Sequence, residues 1–150
     1  MRLFRPISNG VAIFDLEDMT LFPEGITRAA KGYLKCRKTK KPVHRVIMSE
    51  EGTKVVDHIN GNKLDNRRSN LRVCSIKQNV RNAKKRKSKN QKSKYKGVSI
   101  NSSGKYYARI IVDYKSYYLG QYTSEEEAAR AYDAAASRYF GDFSRRNFNE

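Results

Sequence analysis

Four residues in one short stretch could together hydrolyse a phosphodiester. Residues 55–82, VVDHINGNKLDNRRSNLRVCSIKQNVRN, place Asp57 and His58 at the end of a β-branched run, Asn70 before a second apolar run, and Asn79 in a helix-prone segment. Such hydrolysis needs a nucleophilic water, a base for its proton, and positive charge near the phosphoryl oxygens. An imidazole titrates near working pH and suits the base, which assigns His58. Asp57 offers a hard oxygen to a divalent cation and Asn79 a second, neutral one. So few protein ligands leave room for water and phosphate oxygens, as magnesium prefers. Asn82 is the alternative late ligand. Any of these residues alone is ordinary: Asp57-His58 can enter a turn, and Asn79 can sit on a helix. The set in its frame is what predicts a one-metal nuclease site. Arg67, Arg68, Arg72 and Arg81 flank it as candidate phosphate clamps. His44, in an apolar run, either assists the site or simply packs.

These residues must be held by a hairpin and a helix. Residues 53–59 read as a strand, Asn60-Gly61-Asn62 as a turn, residues 71–74 as the return strand, and Ser75 as the N-cap of a helix running to about Lys85. The pattern resembles the His-Asn-His (HNH) endonucleases, in the subfamily whose third position is Asn. The resemblance covers roughly 40 residues and implies a ββα-metal module. It gives His58 the role of base and Asp57 and Asn79 the metal. Asn70 becomes a structural residue of the catalytic set, whose amide ties the loop and orients the histidine. The implied cofactor is a divalent metal, magnesium first and manganese second.

Charge points to the same partner. The 150 residues carry 32 Lys and Arg against 15 Asp and Glu, a formal net charge of +17. Residues 1–79 hold 16 basic and 8 acidic groups, residues 80–96 hold 9 and none, and residues 97–150 hold 7 of each. Such clustering favours a nucleic-acid footprint over an evenly solvated surface. Residues 83–94, AKKRKSKNQKSK, cannot bury anything and read as a basic linker, with Lys84 and Lys85 as DNA contacts. Two cysteines, Cys36 and Cys74, give no disulfide framework. A zinc shared with His44 and His58 lacks the close ligand spacing of a structural site, so no zinc is expected. Without a leader-like or membrane-spanning run, the expectation is a cytoplasmic protein with no membrane partner.

Ahead of the site, residues 1–42 read as a β-rich segment with too little apolar content for its own core, expected to pack on the nuclease. Residues 43–48, VHRVIM, fit helix or strand. After Tyr95 the pattern changes. Strands are expected at 95–100, 105–112 and 116–120, then a capped, Ala-rich helix with Thr123 or Ser124 at its start. Tyr132 and Tyr139 are placed on its apolar side. Alternation sends Tyr106, Ala108, Ile110 and Val112 to one face of the middle strand and Lys105, Tyr107, Arg109 and Ile111 to the other.

YKGV (95–98), GKYYARI (104–110), YLGQY (118–122), EEEAARAYDAAA (125–136) and Asn147-Phe148 resemble the Apetala-two/ethylene-response-factor DNA-binding domain. That resemblance implies a three-stranded antiparallel sheet on one helix. It lays the second strand face in the DNA major groove. The positions aligned with the family's contacts are Lys96, Ser99, Asn101, Ser103, Arg109, Ile111, Ser116 and Tyr118. Several plant relatives carry Arg or Trp at these positions, so the family's target sequence does not transfer.

The full expectation is an α+β chain with four parts: 1–42 packing on the nuclease, an HNH module at 43–86, a basic linker at 87–94, and the DNA-binding domain at 95–150. The combination looks like a homing endonuclease of a phage or mobile element, acting as a monomer on double-stranded DNA in a bacterial host. The alternatives are a non-catalytic DNA-binding regulator and, less well supported by the exposed aromatics, an RNA binder.

Overall fold

In the computed structural model, residues 1–7, 10–29, 32–85 and 92–148 are described. The chain divides into two compact units, Met1–Asn79 and Val80–Glu150.

The first unit is a series of small hairpins. Within the segment expected to be β-rich, strand β1 (Arg2–Ile7), whose bounds the sequence did not mark, pairs antiparallel with β2 (Gly10–Asp15). A 3-10 helix, Leu16–Leu21, follows, unanticipated. Then β3 (Ile26–Arg28) pairs with β4 (Leu34–Cys36). The ambiguous apolar run becomes α1, Val43–Ile47, entered from Pro42 at ψ 132 and burying Val43, His44 and Ile47 on one side. Spacing of i, i+1 and i+4 is a helical face, not a strand face. Strands β5 (Val55–His58) and β6 (Leu71–Cys74) pair antiparallel, with Asp57 opposite Arg72 and His58 opposite Leu71.

One core joins all of these pieces. Ala12, Phe14, Phe22, Ile26, Leu34, Val43, Ile47, Val56 and Leu71 form a single buried cluster. The N-terminal hairpin also grips the loop between β5 and β6. Ile13 donates its N–H to the Leu64 carbonyl at 2.9 Å, and Asn66 donates to the Ile13 carbonyl at 2.8 Å. Both buried cysteines are free thiols, and burial pushes the Cys74 pKa up.

Helix α2, Ile76–Asn82, begins with a reciprocal cap: Gln78 N–H donates to Ser75 Oγ at 3.2 Å, and Ser75 N–H donates to Gln78 Oε1 at 2.9 Å. It ends three residues before the expected Lys85. The Lys96 ammonium donates to the Arg81 and Ala83 carbonyls at 2.7 Å each, closing the helix with a cation.

The second unit is a three-stranded antiparallel sheet, β7 (Val98–Ile100), β8 (Tyr106–Val112) and β9 (Lys115–Tyr122), covered by α3 (Glu125–Phe140). Strand β7 starts three residues later than expected because the preceding amides bond to side chains: Tyr95 N–H to Ser93 Oγ and Lys96 N–H to Asn147 Oδ1. Helix α3 opens with a complete capping box between Ser124 and Glu127. Val98, Ala108, Ile110, Ala128, Ala129, Tyr132, Ala136 and Phe140 form its core, the small alanines allowing close approach of helix to sheet. Tyr139 corrects the expectation of apolar burial. Phe140 takes the last core position, and Tyr139 stays 44 % exposed, its ring stacked on Tyr117.

The β8–β9 turn, Asp113-Tyr114, holds both residues at positive φ, 50° and 67°, and Tyr114 is fully exposed. Glycine is favoured at such a position, and a left-handed non-glycine residue costs roughly 1–2 kcal/mol. Tyr114→Gly is therefore expected to raise stability by about 0.5–1 kcal/mol after glycine's greater chain entropy is deducted. A thermal melt that shows lower stability would contradict this account of the turn.

Candidate active site

The site grows from the end of β5. Asp57 and His58 are 7 % and 4 % exposed. Arg72, across the ladder on β6, donates to Asp57 Oδ2 from Nε at 3.2 Å and from Nη2 at 2.9 Å. Burial pushes the His58 pKa down, against opposing contributions from Asn66, Asp57 and Asp65. Burial thus favours the neutral ring, the state a general base needs.

His58 Nε2 lies 3.4 Å from Asn66 Oδ1, while Asn66 Nδ2 donates to the Lys63 carbonyl at 3.3 Å. With that amide orientation, the contact is a hydrogen bond when Nε2 carries the ring proton, and Nδ1 then bears the lone pair. Rings line the other side. His44 stands edge-on to His58 with centroids 5.0 Å apart, and Tyr33 lies 6.0 Å away, capped by the Lys63 ammonium at 4.3 Å. His44 is itself buried, its Nδ1 has no hydrogen-bond partner among the described residues, and burial first, then His58 and Arg45, pushes its pKa down to about 4.

The loop between the strands is a closed polar network. Asn70 accepts from the Asn60 N–H at 3.0 Å and donates to Asn60 Oδ1 at 3.1 Å and to the Asp65 carbonyl at 2.7 Å. Asn60 in turn donates to Asp65 Oδ2 at 2.9 Å. Asn70 thus ties the loop; the amide facing the histidine belongs to Asn66, which sequence reasoning did not single out. Asn66 is fully buried in a turn-rich stretch whose composition reads as solvated.

The flanking arginines are anchored by carboxylates. Arg67 grips the buried Asp65 with two N–H donors at 2.7 and 2.6 Å, which holds the Asp65 carboxyl below its usual range. Arg68 puts two donors on Asp18 Oδ1, at 3.0 and 2.6 Å, from 50 residues away. Arg81 meets Asp113 at 3.3 Å and stacks over Phe140. Lys84 is exposed. Two lysines expected at the DNA surface are turned inward instead. Lys85 donates to the Ser93, Tyr95 and Val98 carbonyls, and Lys96, closing α2, is pushed down to about 8, chiefly by burial. An ammonium that bonds several carbonyls has little left for a phosphate.

The metal-ligand chemistry fits a hard cation. The Asp57 carboxylate supplies oxygen at the strand end. Asn79 is half-buried on α2, and its side-chain amide makes no hydrogen bond among the described residues. Asn82, the alternative, is buried and has contacts of its own. Among the described residues, no three His, Cys, Asp or Glu converge on one point. A cation here would therefore rely on few protein ligands.

In the second unit, Ser99 pairs with Tyr107 on the short β7, and Asn101 organises its own turn, accepting from Ser103 Oγ at 2.8 Å and Lys105 N–H at 3.0 Å. Arg109, Ile111, Ser116 and Tyr118 are exposed on the sheet face away from α3.

Residues 41–81 match the HNH endonuclease family model. An uncharacterized HNH endonuclease of Acanthamoeba polyphaga mimivirus is 36 % identical over 92 residues, 61 % of this chain and 46 % of the viral protein. An AP2/ERF and B3 domain-containing protein of Oryza sativa subsp. japonica is 45 % identical over 58 residues, 39 % of this chain and 16 % of the plant protein. An AP2/ERF and B3 domain-containing transcription factor of Arabidopsis thaliana is 45 % identical over 47 residues, 31 % of this chain and 14 % of its own length. The chain thus spans less than half of each of these relatives. It combines an HNH endonuclease module with an AP2/ERF-type domain.

Proposed function

We infer that this chain is a metal-dependent, homing-type endonuclease that cuts double-stranded DNA, with its AP2/ERF-type domain holding the duplex. The observation that carries the reading is the buried Asp57-His58 pair inside the segment that matches HNH endonucleases, where burial favours the neutral imidazole. His58 accepts the proton of the attacking water, and the Asn66 amide fixes its ring. Asp57, oriented by Arg72, and Asn79 are the residues that would hold a divalent cation, magnesium foremost. When bound, that cation supplies the positive charge that phosphoryl transfer requires. Asn70 keeps the loop closed behind the histidine. One such site per chain fits nicking by a monomer. A viral relative is in keeping with a mobile-element origin.

Incubation with supercoiled plasmid tests this. Open circles are expected with magnesium and none with chelator. Intact plasmid under every divalent cation, with duplex binding retained, would favour a second reading, a DNA-binding regulator. One contact speaks for that reading: Arg72 already occupies an oxygen of Asp57.

A further inference from the structure

Lys63 is tied to His58 through both its backbone and its side chain. Its carbonyl accepts from Asn66 Nδ2 at 3.3 Å, and Asn66 Oδ1 lies 3.4 Å from His58 Nε2. Its ammonium sits 4.3 Å from the centre of the Tyr33 ring, which lies 6.0 Å from the His58 ring. Lys63 is half-buried, and its stem passes Gly32, where an added Cβ would lie 3.9 Å from Lys63 Cδ. After burial, the Lys63 charge also disfavours a positive imidazole. The platform beneath the ammonium is fixed. The Tyr33 carbonyl accepts the Ala29 N–H at 2.8 Å, and the next residue, Leu34, is fully buried in the core.

Three neighbouring basic residues are held differently. Arg72, Arg67 and Arg68 each place two N–H donors on a carboxylate, that of Asp57, Asp65 and Asp18 respectively. A carboxylate cancels the charge it binds. A ring face attracts a cation and leaves its positive charge in place. Hydrolysis of a phosphodiester needs such a charge. Attack joins the water oxygen to phosphorus and passes the water's proton to His58. Negative charge builds on the nonbridging oxygens. The bond to the leaving sugar oxygen then breaks, and that oxygen takes a proton from solvent. A donor already in place for the developing charge stabilises it without reorganisation.

Resting on the nuclease reading above, we propose that Lys63, seated on the Tyr33 ring, is a catalytic residue that donates to a nonbridging oxygen of the scissile phosphate as water attacks. It moves no proton and breaks no bond. Tyr33 is a positioning residue that keeps the ammonium beside His58.

The test is plasmid nicking by the full chain with magnesium, at protein concentrations that saturate the DNA, so that weaker binding cannot lower the rate. Lys63→Met keeps an apolar stem over Gly32 and Tyr33 and leaves the backbone carbonyl on Asn66, so it deletes the charge. It is expected to melt with the parent and to nick about 10²-fold more slowly, the lower end of the loss when one such donor is removed. Lys63→Arg is expected to recover most of the rate. Tyr33→Leu is expected to slow the parent and to slow Lys63→Met no further. Lys63→Gln carries the same expectation as Lys63→Met should the methionine variant fold poorly. The proposal is overturned if a folded, uncharged variant nicks at near-parent rate, if arginine recovers nothing, or if Tyr33→Leu costs the same in both backgrounds. A parent that binds duplex and never nicks overturns the nuclease reading, and the role of Lys63 falls with it.

Discussion

Replacing His58 with alanine is expected to reduce plasmid nicking by roughly 10²–10⁴-fold, the usual contribution of a positioned general base, with duplex affinity unchanged. The imidazole is 4 % exposed, so it contributes little to a DNA-facing surface, and its burial disfavours the charged form, which suits proton transfer rather than phosphate attraction. Alanine alone leaves an ambiguity. It opens a hole beside His44 and Tyr33 and removes the group facing Asn66 Oδ1. A folding defect could then mimic a catalytic one. His58→Gln resolves it. The glutamine amide can donate to Asn66 and fill much of the space, but it cannot accept a proton at working pH. Both variants should bind duplex, melt near the parent temperature in the glutamine case, and fail to nick. A folded His58→Gln protein that nicks at near-parent rate would remove His58 from the role of base.

What could be seen of this site in the sequence was what is local along the chain. Asp57 and His58 close a strand, Asn70 precedes its partner strand, and Ser75 caps the following helix; each is set by neighbours within a few residues. The capping box of α3 was readable for the same reason. What escaped was made by distance. Asp18 reaches Arg68 across 50 residues, and β2 grips the loop through Leu64 and Asn66. The ring contact of His44 with His58 exists only once α1 packs beside β5. The inward lysines escaped for another reason. A basic, polar run reads as solvated, and only the fold reveals that carbonyls of residues 81, 83, 93, 95 and 98 accept from the Lys85 and Lys96 ammonium groups. The long polar loop was misleading in the opposite sense, since Asp65 and Asn66 are among the most buried residues of the chain.

The largest effect on stability is expected at Gly97, in the YKGV turn that leads into β7. Its φ is +78°, and a Cβ built there would sit 1.9, 2.4 and 2.6 Å from three carbons of the Tyr132 ring. Tyr132 is 4 % exposed in the core beneath α3, so the ring cannot swing into solvent to make room. Gly97→Ala therefore meets two penalties. The left-handed backbone costs about 1 kcal/mol or more, and overpacking a closed core typically adds about 1–3 kcal/mol. Gly104 supplies the control. Its φ is +76°, but nothing lies within 4 Å of an added Cβ, so Gly104→Ala carries the backbone penalty alone. In a unit this small, about 1 kcal/mol moves the melting temperature by roughly 4–8 °C. Gly104→Ala should lower the melting transition by about that much and Gly97→Ala by about two to four times as much, the excess measuring the clash with Tyr132. Sequence-selective DNA binding should fall with Gly97→Ala at temperatures where the Gly104→Ala protein still binds. If the two variants melt together, Tyr132 is not packed against Gly97 as described, and the close approach of that turn to α3 is wrong.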